Sequence, residues 1–121
     1  MTRQKQPIGL FDSGVGGLTV LKALKNVLPN EDFIYLGDTA RVPYGNRSPE
    51  TIIKYSSDIV EHLLAFNIKS VVVACNTASS FAIPRLRELC NEIPVFGVIE
   101  PGSEAAVKQT RTKVIGVLGT Q

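Results

Sequence analysis

The stretch Val71-Val72-Val73-Ala74-Cys75-Asn76-Thr77-Ala78-Ser79-Ser80 limits what this chain can become, because an apolar β-branched run leads directly into a cysteine and then into helix-starting residues. Such a run reads as a strand buried on both faces of a parallel sheet. Ligands of open α/β sheets sit beyond the carboxyl ends of their strands, and Cys75 occupies that end. The unpaired N–H groups of a helix N-terminus favour negative charge there, whether a thiolate or a substrate carboxylate.

The same order recurs along the chain. Ile8-Gly9-Leu10-Phe11 runs into the glycine-rich Asp12-Ser13-Gly14-Val15-Gly16-Gly17, and a helix follows whose Gly17, Val20, Leu21, Leu24, Val27 and Leu28 share one stripe. Phe33-Ile34-Tyr35-Leu36 is a second strand, ending at Gly37-Asp38-Thr39 and a long loop through Arg47. Loops of that length usually carry function. Ser48-Pro49-Glu50 starts a helix with a hydroxyl cap, proline in the first turn and an acid beside it, and the apolar spacing carries that helix to about Phe66. After the Cys75 strand, Phe81, Ala82, Leu86, Leu89 and Cys90 trace a helix that Pro84 should kink or restart. Val95–Val98 is a fourth strand, a weaker helix runs through about Val107, and Val114–Leu118 is a fifth strand. Strands alternating with amphipathic helices give an α/β fold, an open and mainly parallel sheet with flanking helices.

Composition sets the outer bounds. A chain of 121 residues with 44% hydrophobic and 20% charged residues can bury one modest core. A formal net charge of +2 without any cluster of Lys or Arg argues against a nucleic-acid partner. Cys75 and Cys90 lack metal-like spacing and read as thiols of a reducing compartment. The polar N-terminus precedes too short an apolar run for a signal peptide or a membrane span, so no membrane partner and a cytoplasmic location are expected. The chain stops at Gly119-Thr120-Gln121, where each earlier strand led into a loop and helix, and this reads as a truncated protein.

A Rossmann enzyme survives only as a minority reading, and a phosphoryl-transfer aspartate is the other possibility. The dinucleotide fingerprint counted from Gly14 needs glycine at position 19, where Thr19 stands, although Asp38 does lie where a ribose-binding acid would. No P-loop lysine is present, and Gly14 leaves the first loop without a second carboxylate for a metal.

Each edge residue alone has a bland reading: Asp12 as a turn acid, Ser13 as a turn hydroxyl, Cys75 as a buried inert thiol. Together they do not, because Asp12, Ser13, Asp38, Cys75 and Asn76 fall at the carboxyl ends of successive strands and therefore on one sheet edge. Cys90 extends an apolar stripe, and His62 lies on a partly exposed helix. A thiol beside an acid and a hydroxyl suits nucleophilic attack on a carbonyl or proton transfer at carbon. A cysteine hydrolase needs a histidine near the thiol, and His62 sits in the preceding helix, away from the strand ends.

Asp12-Ser13-Gly14-Val15-Gly16-Gly17, Pro43-Tyr44-Gly45, Cys75-Asn76-Thr77-Ala78-Ser79 and Gly97-Val98-Ile99-Glu100-Pro101 occur in this order, and from about Pro7 to Thr120 the chain resembles the N-terminal part of the glutamate racemases of the aspartate/glutamate racemase superfamily. The resemblance implies interconversion of L- and D-glutamate for peptidoglycan synthesis, with no cofactor or metal, by two cysteines on opposite faces of the amino acid. Carried over motif by motif, Cys75 is one proton-transfer thiol and Asp12 the carboxylate that adjusts its proton. Asp12, Ser13, Tyr44, Gly45, Asn76 and Thr77 hold the substrate. The residues alone single out Asp12, Ser13, Cys75 and Asn76, whereas Tyr44 and Gly45 come from the resemblance.

The second cysteine belongs to a Gly-Cys-Thr-His type motif of the family's C-terminal half, and Cys90 has no such flanks. The resemblance also implies two α/β lobes, with residues 1–98 as an incomplete first lobe that lacks a returning C-terminal segment, and 99–121 as the start of the second. The expected partner is a small-molecule substrate, glutamate; a homodimer is compatible with it. A fragment of this extent should be inactive alone. The competing readings are a non-catalytic α/β module that binds a small anion, and another amino-acid racemase such as one for aspartate.

Overall fold

The computed structural model describes residues 2–119. After a short 3-10 turn at Arg3–Lys5, the elements are β1 (Ile8–Asp12), α1 (Gly17–Val27), β2 (Phe33–Gly37), α2 (Pro49–Leu64), β3 (Ser70–Val73), α3 (Asn76–Phe81), α4 (Ile83–Cys90), β4 (Val95–Phe96) and α5 (Ile99–Gln109). All strand pairings are parallel and the sheet order is β2-β1-β3-β4. The chain builds outward from β1 to β2, then crosses to the other side of β1 to lay down β3. Strand order thus reverses at β1, which places the crevice for a ligand beyond the carboxyl ends of β1, β2 and β3.

Local sequence explains most boundaries. Ser48 caps α2 by accepting from the Thr51 N–H at 3.2 Å, with Pro49 in the first turn where its missing N–H costs nothing. Ile52, Ser56, Ile59, Val60 and Leu63 form the buried face of α2. The helical pattern after Cys75 breaks at Ala82 and restarts as α4 with Pro84 in its first turn. A proline there removes a donor that the new helix would not have used.

The core lies on one face of the sheet. Phe11, Val71, Val73 and Val95 meet Ile52, Ile59, Val60 and Leu63 of α2 and Ala82, Leu86 and Cys90 of α4 in a single buried cluster. At about 1.5–3 kcal/mol per fully buried large apolar side chain, this layer dominates the fold's stability.

The other face is only partly covered. Val71 and Val73 are buried but Val72 between them is not, so β3 alternates instead of being enclosed on both faces. The stripe expected on α1 forms, yet Val20, Leu21 and Leu24 are half-buried and Val27 and Leu28 are exposed. Ile8, Val20, Leu24, Leu28, Val72 and Phe96 line an apolar groove of about 410 Å³ on this side.

The expected fifth strand does not form. Val114–Leu118 have no sheet partner among the described residues, Val117 is 87% exposed, and the hydrogen bonds of Val114 go to the nearby Thr110 and Thr112 side chains. β-branched propensity cannot make a strand without a neighbour to take its backbone groups. The sheet is therefore four-stranded, and the fourth strand pairs over Val95 and Phe96 alone. Thr120 and Gln121 lie outside the described residues.

Candidate active site

Asp12 is the last residue of the strand at the centre of this edge, and it is 7% exposed. Its carboxylate is held at both oxygens by backbone donors: Ser13 N–H to Oδ1 and Gly17 N–H to Oδ2, each at 2.7 Å. Gly17 lies so close that an added Cβ would stand 2.7 Å from Asp12 Cβ, which explains a side chain of hydrogen at this point. On β2, Gly37 is required for a similar reason. A Cβ there would collide with the Gly14 carbonyl oxygen, so the close approach of these two segments needs glycine. Tyr35 secures the same carbonyl with its hydroxyl at 3.2 Å, and burial, followed by the charge of Asp12, raises its pKa.

Cys75 sits between β3 and α3 in extended conformation, as the residue that caps α3, and is 5% exposed. Its Sγ accepts from the Ala78 N–H at 3.4 Å and donates to Ser13 Oγ at 3.5 Å. The Ser13 hydroxyl in turn lies 3.5 Å from Asp12 Oδ1. The thiol, the hydroxyl and the carboxylate therefore stand in line across the β1/β3 boundary. One hydroxyl therefore connects the thiol to a carboxylate, and the Ala78 N–H points at the sulfur.

Asn76 is exposed and Thr77 half-exposed on the first turn of α3, next to Cys75. Ser79 faces away from this line: its hydroxyl donates to Val73 O at 3.1 Å and accepts from Val98 N–H at 3.2 Å, tying β3 to the start of α5.

The long loop after β2 brings Tyr44 to the same edge. Tyr44 is 1% exposed, and its hydroxyl donates to Asp38 Oδ2. Burial pushes its phenol far above the ordinary range; the hydrogen bond to Asp38 and then the Asp38 charge add to this, and Cys75 contributes in the same direction. Tyr44 is thus near the thiol, but its hydroxyl is committed to Asp38 and not free for a ligand. Gly45, the next residue, is half-exposed.

Asp38 is the residue that sequence reading placed on the edge without giving it work in this site. It receives Arg41 Nε at 2.7 Å as well as Tyr44, and Arg41 continues to Asp58 Oδ2 at 3.3 Å and over the Tyr55 ring at 4.1 Å. Burial opposes the Arg41 charge, but Asp38 outweighs it and the pKa ends raised. The Asp38-x-x-Arg41 spacing was the available signal.

His62 is exposed near the end of α2, with its ring 5.7 Å from that of Phe66, and takes no part. Cys90 is buried in the apolar layer, which raises its thiol pKa. A broader groove of about 620 Å³, lined by Ser79, Arg87, Phe96, Glu100 and Glu104 among others, contains none of the line Asp12, Ser13, Cys75. No helix among the described residues is long and apolar enough to cross a membrane.

The chain is similar to known proteins in sequence and in fold. The chain is 60% identical over 114 residues to a glutamate racemase of Persephonella marina, an overlap that takes in 94% of this chain and 44% of the relative. The structure of a glutamate racemase from Aquifex pyrophilus superposes with a TM-score of 0.85 at 57% identity, covering 88% of this chain and 42% of that one. That of Francisella tularensis glutamate racemase in complex with D-glutamate gives 0.80 at 46% identity, covering 84% and 38%. The chain therefore spans less than half the length of the curated relatives it matches. Residues 8–121 match the Asp/Glu/hydantoin racemase family, and the chain belongs to it.

Proposed function

We propose that this chain is the N-terminal part of a cofactor-independent glutamate racemase and that Cys75 is one of its two proton-transfer residues. The line from Cys75 Sγ through Ser13 Oγ to Asp12 Oδ1 carries this reading. Abstraction of an α-proton requires a thiolate, whose proton must first go elsewhere. Asp12 receives it through Ser13, and the Ala78 N–H steadies the charge left on sulfur. In the reaction the Cα–H bond breaks as S–H forms at Cys75, and a second thiol on the opposite face delivers its proton to the carbanion. The second thiol is not Cys90, which lies in the core.

Ser13, Asn76 and Thr77 hold the charged groups of the amino acid. The Tyr44-Gly45 segment contributes through its backbone. Glutamate is the substrate favoured by the named relatives, including the Francisella tularensis protein in complex with D-glutamate. The product D-glutamate serves peptidoglycan synthesis in the cytoplasm.

Residues 1–98 are the first lobe and 99–121 begin the second. The open apolar groove beside α1 supports a lobe completed by chain beyond this stretch. A chain with one thiol at the edge has no acid for the far face of the substrate, so the 121 residues alone do not racemise.

The test is deuterium incorporation at the α-carbon of L- and D-glutamate in heavy water, using the complete reading frame that contains this chain, with and without Cys75→Ala. Cofactor-free exchange from both enantiomers, severely reduced in the variant, is expected. Folded protein with no exchange from either would move the reading to a small-anion binding module, and exchange confined to aspartate would move it to the neighbouring racemase. Sustained racemisation by the 121-residue chain would overturn the two-thiol scheme.

A further inference from the structure

We propose that Asp38 is a positioning residue for the substrate, acting through Tyr44 and Arg41 to fix the loop between β2 and α2 against the Cys75 edge. This inference rests on the racemase reading above. Three observations carry it. Asp38 is anchored to the catalytic edge itself, since its N–H donates to the Asp12 carbonyl at 2.9 Å and the residue is 8% exposed. Its Oδ2 accepts from both Tyr44 OH and Arg41 Nε, so one carboxylate oxygen gathers two points of the loop. The second point extends to α2, where Arg41 reaches Asp58 and covers the Tyr55 ring, and the Tyr44 and Tyr55 rings lie 5.7 Å apart.

Apart from the Tyr44 ring in the apolar cluster, few contacts hold this loop among the described residues. Thr39, Ala40, Val42 and Pro43 are exposed, and its backbone closes through Arg41 N–H to Asp38 O at 3.2 Å and Arg47 N–H to Tyr44 O at 3.0 Å. Tyr44 is nonetheless buried completely, because the Asp38 carboxylate satisfies its hydroxyl inside the apolar layer. With Asp38 removed, a buried phenol loses its acceptor and Arg41 loses its nearer anion, both of which favour withdrawal of the loop from the edge. Gly45 moves with Tyr44. The consequence falls on substrate binding, because Asp38 touches none of the atoms between which the proton passes.

The experiment is steady-state racemisation in both directions by the complete reading frame, comparing wild type, Asp38→Ala, Tyr44→Phe and the double variant. Loss of a charge-assisted hydrogen bond predicts a rise of roughly tenfold in KM for Asp38→Ala, with kcat changed much less. Tyr44→Phe should raise KM by a smaller factor, and the double variant should be no worse than Asp38→Ala, because both act through one contact.

Simple loss of folded protein would lower apparent kcat and leave KM unchanged, so the split separates positioning from stability. Unchanged KM in folded Asp38→Ala, or single effects that multiply in the double variant, overturns the proposal. If Asp38→Ala does not fold, Tyr44→Phe decides, because it keeps the ring and the Asp38–Arg41 pair, and an unchanged KM overturns the proposal there too. A wild type that turns over no glutamate overturns the racemase reading and this inference with it. A turning-over wild type with indifferent variants overturns this inference alone.

Discussion

Replacing Gly17 by alanine sets two effects against each other. Alanine is favoured over glycine in a helix by up to about 1 kcal/mol, and Gly17 opens α1 without a positive φ, so its backbone conformation suits any residue. The added methyl, however, would stand 2.7 Å from Asp12 Cβ and 3.1 Å from both Ala74 Cβ and Tyr35 Oη. Asp12 Cβ, at the end of β1, and Ala74 Cβ, just past β3, are bonded directly to the backbone, so neither can swing aside as the end of a flexible side chain could. Overpacking of this kind costs about 1–3 kcal/mol, and with backbone-bonded Cβ atoms at both contacts the upper part of that range applies. The net expectation is destabilisation of about 1–2 kcal/mol, from those two ranges. The same shift moves Asp12 off the Gly17 N–H and slows α-carbon exchange. Gly16 is the control: an added Cβ would meet Asp12 Oδ2 at 3.5 Å, ordinary contact, and its φ of −60° is helical. Gly16→Ala should therefore stay within about 0.5 kcal/mol of wild type. Urea unfolding of the complete protein reads both, and a Gly17→Ala midpoint at or above that of Gly16→Ala refutes the steric argument.

Tyr44 and Tyr35 hold their protons above the ordinary 10.0, Tyr44 first through burial and then through Asp38. The unfolded chain releases those protons near its ordinary value, so their stabilising contribution is intact below about pH 10 and falls as pH rises beyond it. Tyrosinate absorbance should then rise together with loss of circular dichroism, with a shallower stability decline in Tyr44→Phe; ionisation of all tyrosines in folded protein would contradict this. Iodoacetamide should label Cys75 and spare Cys90, whose thiol burial pushes up, as read by peptide mass spectrometry; equal labelling would refute it. The 121-residue chain alone should self-associate through the groove that exposes Leu28 and Phe96, and a cooperative unfolding transition of a monomer in sedimentation-checked samples would count against that.

What the sequence disclosed was local grammar and strand-end chemistry. Ser48-Pro49 and Pro84 mark helix starts by capping and steric rules that act within one turn, and both stand where the spacing put them. Asp12, Ser13, Cys75 and Asn76 were gathered on one edge by the β-loop-α order, which fixes strand direction without knowing strand neighbours. Where a result depended on neighbours, the reading failed. Val114–Leu118 has the composition of a strand and no partner among the described residues, and Val72 belongs to a run that looks doubly buried but faces the open side of the sheet. The burial of Tyr44 was equally illegible. It follows from an acid six positions earlier and a ring on α2, and each of those contacts is a fact of tertiary closeness.

The position of β1 explains why so much converges on so few residues. In the order β2-β1-β3-β4, β1 is hydrogen-bonded on both sides, so the loops leaving β1, β2 and β3 are neighbours. Two glycines leave room for their close approach, since a side chain at either would collide: Gly17 under Asp12, and Gly37 against the Gly14 carbonyl. The carboxylate of Asp12 is fixed at both oxygens by backbone amides that cannot rotate away, so it is oriented before any ligand arrives. Preorganisation of this kind lowers the cost of stabilising charge as it develops. It also has a direction. Every group described here approaches from the sheet side, and an α-carbon held against Cys75 presents its other face outward. On the racemase reading proposed above, inverting that carbon calls for a second proton donor on its other face, and Cys90, buried in the core, is not placed to be one.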